Sequence, residues 1–230
     1  MELYDVMRTT PATRDFTGEP LPDDVLVRIL DHARFAPSGG NRQGTRIVAV
    51  RDLATRERLA SLNEPAVRRY LAQLGAGESP WNPLSPAGPS PAEIEATVVA
   101  DSFIRPVLTA SVVLVCCVDL GVVAATDQDL DRIGVVAGAS VYPLVWNVLL
   151  AARNEGFGGT ITTMAVAQEP AVQELLGIPA RYAVAAVVPL GRPEQRPTRL
   201  TRRPVGDLAT WEHFDGPPID GPPGGAAQLT

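Results

Sequence analysis

The 230-residue chain predicts an α+β fold, and three observations carry that prediction. Apolar residues recur at helical spacing in several stretches. Two dense apolar runs, 110–118 and 182–189, read as buried core strands. The two kinds of segment alternate irregularly rather than as a clean βαβ series, which fits an α+β or three-layer sheet protein. No GxGxxG follows the first strand, which argues against a Rossmann dinucleotide site.

The elements follow in order. Residues 2–8 read as a short helix ending near Arg8-Thr9-Thr10-Pro11. From Pro22 to Ala36, Val25, Leu26, Ile29, Leu30 and Ala33 mark one helix face, and Pro37-Ser38-Gly39-Gly40 stops it. Residues 46–50 form a short strand and 53–74 a helix. Residues 75–91 are rich in proline and glycine and read as a mobile excursion. A helix over 92–103, the strand 110–118 and a long helix over 130–154 come next, the last kinked at Pro143. A strand at 160–163, a short helix at 168–176 and the strand 182–189 complete the domain, set at 1–215. Residues 216–230, with their Pro-Pro and Gly-Gly pairs, read as a disordered tail.

Composition excludes several classes. Hydrophobic residues make up 45% of the chain, ample for one core. Net charge is −6 and no basic face can be assembled, so neither nucleic acid nor an anionic membrane is an expected partner. All 20 basic residues are arginine, which removes Schiff-base chemistry and any P-loop lysine. A bound anion must therefore be held by arginine forks and backbone amides. Cys116 and Cys117 are neighbours on a strand and should face opposite ways as packing residues. With His32 and His213 as the only histidines, a His/Cys metal cluster is not expected. The acidic start and the lack of a bilayer-length apolar run suggest a cytoplasmic enzyme.

Four segments could carry chemistry. Arg8 and Arg14 bracket three threonines, a plausible phosphate cradle, although an ordinary solvated loop satisfies the same spacing. Pro37-Ser38-Gly39-Gly40-Asn41 would let backbone approach a flat ligand and adds an amide; helix-ending loops of this kind are also common. Gly158-Gly159-Thr160-Ile161 could present amides to a ring edge or merely cap a helix. Arg199, Arg202 and Arg203 form a basic patch that could close over a phosphate or simply be solvated.

Taken in sequence order, these segments resemble the FMN-dependent nitroreductases. The resemblance runs from Arg8-Thr9-Thr10 through Arg14-Asp15-Phe16 and the stretch 29–43, with its Ala36-Pro37-Ser38 ending and Asn41-Arg42-Gln43. It continues in Trp146–Ala152, Gly156–Thr160 and Pro189–Pro193, and ends at Arg202-Arg203-Pro204-Val205. It covers about residues 2–62 and 104–215 and leaves 63–103 unmatched.

The resemblance implies a three-layer α/β/α dimer with a mixed central sheet and FMN at the subunit interface. Arg8, Thr9 and Thr10 would lie near the FMN phosphate and ribityl chain, with Arg203 and Arg202 reaching the phosphate from the tail. Arg14 would support the reduced ring electrostatically at its pyrimidine edge. Pro37, Ser38, Gly39 and Asn41 would serve the neighbouring subunit's flavin, and Gly159, Thr160 and Ile161 would run along N5. No catalytic side chain is implied. NADPH or NADH would reduce the flavin, and a nitroaromatic, quinone or activated alkene would reoxidise it from the same place, a ping-pong scheme. Specialised enzymes of the same family (ene-reductase, azoline or peptide dehydrogenase, flavin-cleaving enzyme) and a non-catalytic flavin binder are the alternatives. The chain departs from the family at Gly44-Thr45, where Pro-Trp is common, and its lack of lysine argues against the iodotyrosine-dehalogenase branch.

Overall fold

The computed structural model describes residues 1–85 and 88–219. The chain forms two compact units, Met1–Pro197 and Thr198–Thr230, and each is taken by itself. In the first, the order is α1 (Leu3–Thr9), α2 (Asp23–Ala33), β1 (Thr45–Val50), α3 (Leu53–Gly75), α4 (Pro91–Ala96) and α5 (Asp101–Thr109). Then come β2 (Val112–Asp119), α6 (Tyr142–Asn154), β3 (Gly158–Gly159), α7 (Glu169–Leu176) and β4 (Tyr182–Gly191).

The strands form one sheet in the order β1-β2-β4-β3, every pair antiparallel. The sheet expected to be mixed is thus antiparallel in its named strands, and among the described residues parallel pairing is a single bridge between Ala12 and Gly159. β2 sits at the centre and is buried along its whole length. Its alternate residues feed two cores. Val112, Leu114, Cys116 and Val118 pack with α2 and α6, whereas Val113, Val115 and Cys117 pack with α3, α5 and α7. The result is helices on both faces of one sheet. The two cysteines divide between the cores, as their strand positions require, and burial pushes their thiols up to about 12 and about 11.

Two predicted helices differ from the structure for local reasons. The helix expected over 92–103 is two helices, because Thr97 and Ala100 are extended around the β-branched run Thr97-Val98-Val99. Ser90 and Glu93 close a reciprocal cap at the start of the first, and Pro91 opens its first turn. The helix expected over 130–154 begins only at Tyr142, so Pro143 kinks nothing. It lies in the first turn, where its missing N–H has no intrahelical partner to lose. The preceding loop is organised by buried Asp127, whose Oδ2 accepts from Val135 N (2.7 Å), Val136 N (3.2 Å) and Arg132 Nη1 (2.9 Å). The Val135 amide, followed by Arg132 and Val136, outweighs burial and holds this carboxyl down at about 2. The strand expected at 160–163 is Gly158–Gly159 instead, followed by a lone bridge from Thr162 to Val187.

In the C-terminal unit, Thr210 bridges Pro218, and Trp211 N donates to Pro217 O at 2.8 Å. Gly216–Ile219, assigned to the tail by sequence, therefore turn back on residues 209–211. The remainder of that expected tail lies outside the described residues.

Candidate active site

The segment after α1 is extended and pinned at both ends. Ala12 pairs with Gly159, Thr13 N donates to Gly159 O at 2.8 Å, and Thr17 N donates to Arg192 O at 2.9 Å. Between these ties stands Arg14, whose side chain makes no ion pair among the described residues. Its neighbour Asp15 is paired to Arg105 of α5 at 2.8 Å, an exposed contact that positions more than it stabilises.

Gly159 makes this approach possible. A Cβ there would lie 2.4 Å from the Pro189 carbonyl oxygen and 2.5 Å from Leu190 Cδ2. The glycine is required by close packing of β3 on β4, a reason distinct from the ligand approach expected from sequence. One residue on, the chain leaves the sheet. Thr160 and Ile161 lie between the β3 pairing and the Thr162–Val187 bridge, and both line a cleft.

That cleft has a volume of ≈ 380 Å³. Arg14, Thr160, Thr162 and Thr163 give it a polar side, while Phe103, Val107 and Ile161 give it an apolar one. Tyr70 of α3 stands 5.5 Å from Phe103 of α5, ring centre to ring centre, and joins the same wall. Arg14, Thr160 and Ile161, separated by more than 140 positions in sequence, are thus brought together. Tyr70, Ser102 and Phe103 were missed because they lie in the stretch the resemblance does not cover. Two aromatics in a chain with 5% aromatic residues, one on each flanking helix, were the available signal.

The other expected residues are placed differently. Arg8 is exposed in the last turn of α1 and makes no ion pair among the described residues. Thr9 Oγ1 donates to Asp5 O (2.6 Å) and accepts from Arg153 Nε (3.3 Å). Thr10 is buried, with its hydroxyl donating to Val6 O at 2.6 Å. Both hydroxyl hydrogens are committed to the helix backbone. Arg202 and Arg203 are exposed in the C-terminal unit, where Arg202 Nη1 donates to Thr201 O at 2.8 Å.

The loop Pro37–Asn41 does not border the cleft of its own chain. It is a preformed turn. Gly39 N donates to Ser140 Oγ (3.0 Å), Gln43 N donates to Ser38 Oγ (2.9 Å), and Gln43 Nε2 donates to Asn41 Oδ1 (3.2 Å). Asn41 and Gln43 both take positive φ, 52° and 50°, a conformation few side chains adopt. Gly44 fits closely against Val122, where a Cβ would come within 2.5 Å of its side chain. That is the local reason why glycine stands where the family commonly has proline.

The nitroreductase family model matches residues 7–192, most of the chain. The chain belongs to the nitroreductase family. Solved structures similar in fold include an oxidised iodotyrosine deiodinase bound to FMN and 3-iodo-L-tyrosine. That match has a TM-score of 0.67 at 19% identity, covering 93% of this chain and 100% of that one. A putative nitroreductase from Desulfovibrio desulfuricans in complex with FMN matches at TM-score 0.62 and 23% identity, covering 93% and 98%. The NADPH:FMN oxidoreductase of Vibrio harveyi, complexed with NAD+, matches at 0.64 and 20%, covering 92% and 77%. The likeness to the deiodinase is one of fold.

Proposed function

We propose that this nitroreductase-family protein is an FMN-dependent oxidoreductase that takes electrons from NADPH or NADH and delivers them to a small electron-poor acceptor. The observation that carries the reading is the cleft beside Arg14: an unpaired cation, three threonines and an apolar wall around ≈ 380 Å³. A flat heteroaromatic with one polar, electron-rich edge matches that lining in size and in polarity. When bound, FMN supplies the redox chemistry itself, accepting and passing on hydride at N5.

The chain's own residues bind and orient. Arg14 sets a fixed positive charge on the polar side of the cleft, where it favours an anionic ring edge. Thr160 and Ile161 supply lining next to β3, and Phe103, Val107 and Tyr70 add apolar surface. On the family resemblance, phosphate contacts are assigned to Arg8, Arg203 and Arg202, with Thr9 and Thr10 near the ribityl chain. No acid or base is assigned. Donor and acceptor would occupy the same place in turn, and the kinetics are expected to be ping-pong.

A homodimer completes the reading. Leu3, Tyr4 and Met7 on α1, and Tyr142 and Trp146 on α6, are large apolar residues left exposed on two helices that pack together. Large apolar side chains exposed on neighbouring helices favour an interface. Pro37, Ser38, Gly39 and Asn41, preformed yet remote from the cleft of their own chain, are proposed to serve the partner's. An obligate interface of this kind buries more than roughly 2,000 Å². The test is the visible spectrum and mass of the purified protein. A yellow dimer bleached by anaerobic NADPH is expected, and a protein that stays colourless after reconstitution with excess FMN would end the proposal.

A further inference from the structure

Beside the Arg14 cleft lies a second hollow of ≈ 490 Å³, walled by Ala66, Tyr70, Pro80, Trp81, Met164 and Val166. It shares Tyr70, Thr163 and Met164 with that cleft, so the two adjoin. No charged side chain lines it among the described residues.

Trp81 belongs to the proline- and glycine-rich excursion, where several contacts meet it. Its backbone takes φ 57°, and its N–H donates to Gln73 Oε1 at 3.2 Å. Gln73 is only 2% exposed, and its Nε2 donates to Glu78 Oε2 at 2.9 Å. Glu78 Oε1 accepts in turn from Gly88 N at 2.8 Å, tying both sides of the excursion together. The Arg69 guanidinium lies 4.1 Å from the centre of the Trp81 ring. A buried carboxamide, a strained backbone and a stacked cation together hold an indole that remains 41% exposed at the hollow's edge. Backbone strain of this kind persists only where the surroundings over-determine it.

We infer that the hollow is an acceptor subsite, and that Trp81 selects a neutral, planar, fused-ring aromatic. This rests on the oxidoreductase reading for the word acceptor; the aromatic site itself does not. The volume falls in the range of small-molecule sites, and the indole and Tyr70 offer faces on which flat rings stack. A charged ligand placed here would lose its hydration with no partner in the lining.

The test compares wild type with Trp81→Ala, Trp81→Phe and Ala167→Trp, the last placing bulk at an exposed position of the hollow's rim. Equilibrium dialysis with 2-methylnaphthalene, which cannot be reduced, reads binding without turnover. Steady-state kinetics with menadione and with p-benzoquinone read selection by ring size. Trp81→Ala should weaken 2-methylnaphthalene binding and raise the menadione KM about tenfold, with the p-benzoquinone KM moved less than about twofold. Trp81→Phe should recover most of the loss, and Ala167→Trp should block 2-methylnaphthalene. Equal effects on both quinones, or wild type that binds no 2-methylnaphthalene, would overturn the inference. Trp81-dependent binding in a protein that holds no FMN would uphold the aromatic site and sink the redox reading alone.

Discussion

The cleft beside Arg14 draws its walls from α3, α5, β4 and two extended segments, whereas the loop Pro37–Asn41 is shaped almost wholly by its own hydrogen bonds and by Ser140. In the cleft, sequence-distant residues meet because the sheet brings them together, and each wall has a second duty in the core. In the loop, the shape is fixed locally and the outer surface of Pro37, Gly39 and Asn41 remains exposed. A site built in the first way fails when packing fails. A site built in the second way fails only when its partner is lost.

The sharpest way to break this contrast is Gly159→Ala. The new methyl would stand 2.4 Å from the Pro189 carbonyl oxygen, a backbone atom that cannot swing aside. Overpacking usually costs about 1–3 kcal/mol, and we expect the upper end here. The midpoint of urea unfolding measures it. A variant as stable as wild type would show that β3 packs less closely on β4 than described.

Arg14→Ala comes next and tests the cleft without disturbing its walls. Loss of one preorganised electrostatic contact to a developing anion typically costs about 10²–10³-fold in rate. Flavin reduction by NADPH in stopped flow should slow on the order of 10²-fold, while FMN affinity falls by less. The reverse pattern would make Arg14 a binding residue only.

Asp127 offers a smaller effect on the loop side. Its loop reaches the Asn41 turn where Arg42 Nη1 donates to Val122 O at 3.1 Å. Its folded pKa, about 2, lies below the ordinary carboxylate value of about 3.9. The stabilisation is therefore complete above pH ~4 and is lost as pH falls from there towards 2. Asp127→Asn should weaken the amide contacts at neutral pH, with Val135 and Val136 exchanging roughly tenfold faster by mass-detected hydrogen exchange, since charge-assisted bonds exceed neutral ones. Unchanged protection would mean that Arg132 and the carboxylate's charge do not hold this loop.

These regions also differed in how far the sequence disclosed them. Period-2 alternation alone assigns Cys116 and Cys117 to opposite faces, because a strand's alternation is purely local. Arg14, Thr160 and Ile161 were expected near one another from family order, and the structure gathers them around one cleft. Tyr70, Phe103 and Trp81 were not, because the resemblance left residues 63–103 unmatched and these side chains meet only through packing between α3, α5 and the excursion. Pro143 misled because proline stops a helix or starts one, and the difference lay in loop 120–135. The Asp127 ties that organise that loop span eight and nine positions, beyond any local pattern.

The smallest effect on stability, and the finest test of the contrast, is Gly39→Ala. A Cβ at Gly39 would meet Ser140 Oγ at 3.4 Å and Ala124 Cβ at 3.8 Å, ordinary van der Waals distances. Its backbone is not left-handed, so alanine adopts it without strain, and removing glycine's freedom in the unfolded chain offsets any small crowding. Unfolding should shift by no more than about 0.5 kcal/mol. Yet the loop that carries the new methyl faces the partner's flavin in the proposed dimer. FMN affinity should fall several-fold while the monomer's stability is untouched, a separation that Gly159→Ala cannot produce. Fluorimetric FMN titration beside urea unfolding on the same preparation reads both quantities. If Gly39→Ala leaves FMN affinity and dimerisation unchanged, the loop does not work across the interface. The cleft of each chain would then have to be complete by itself.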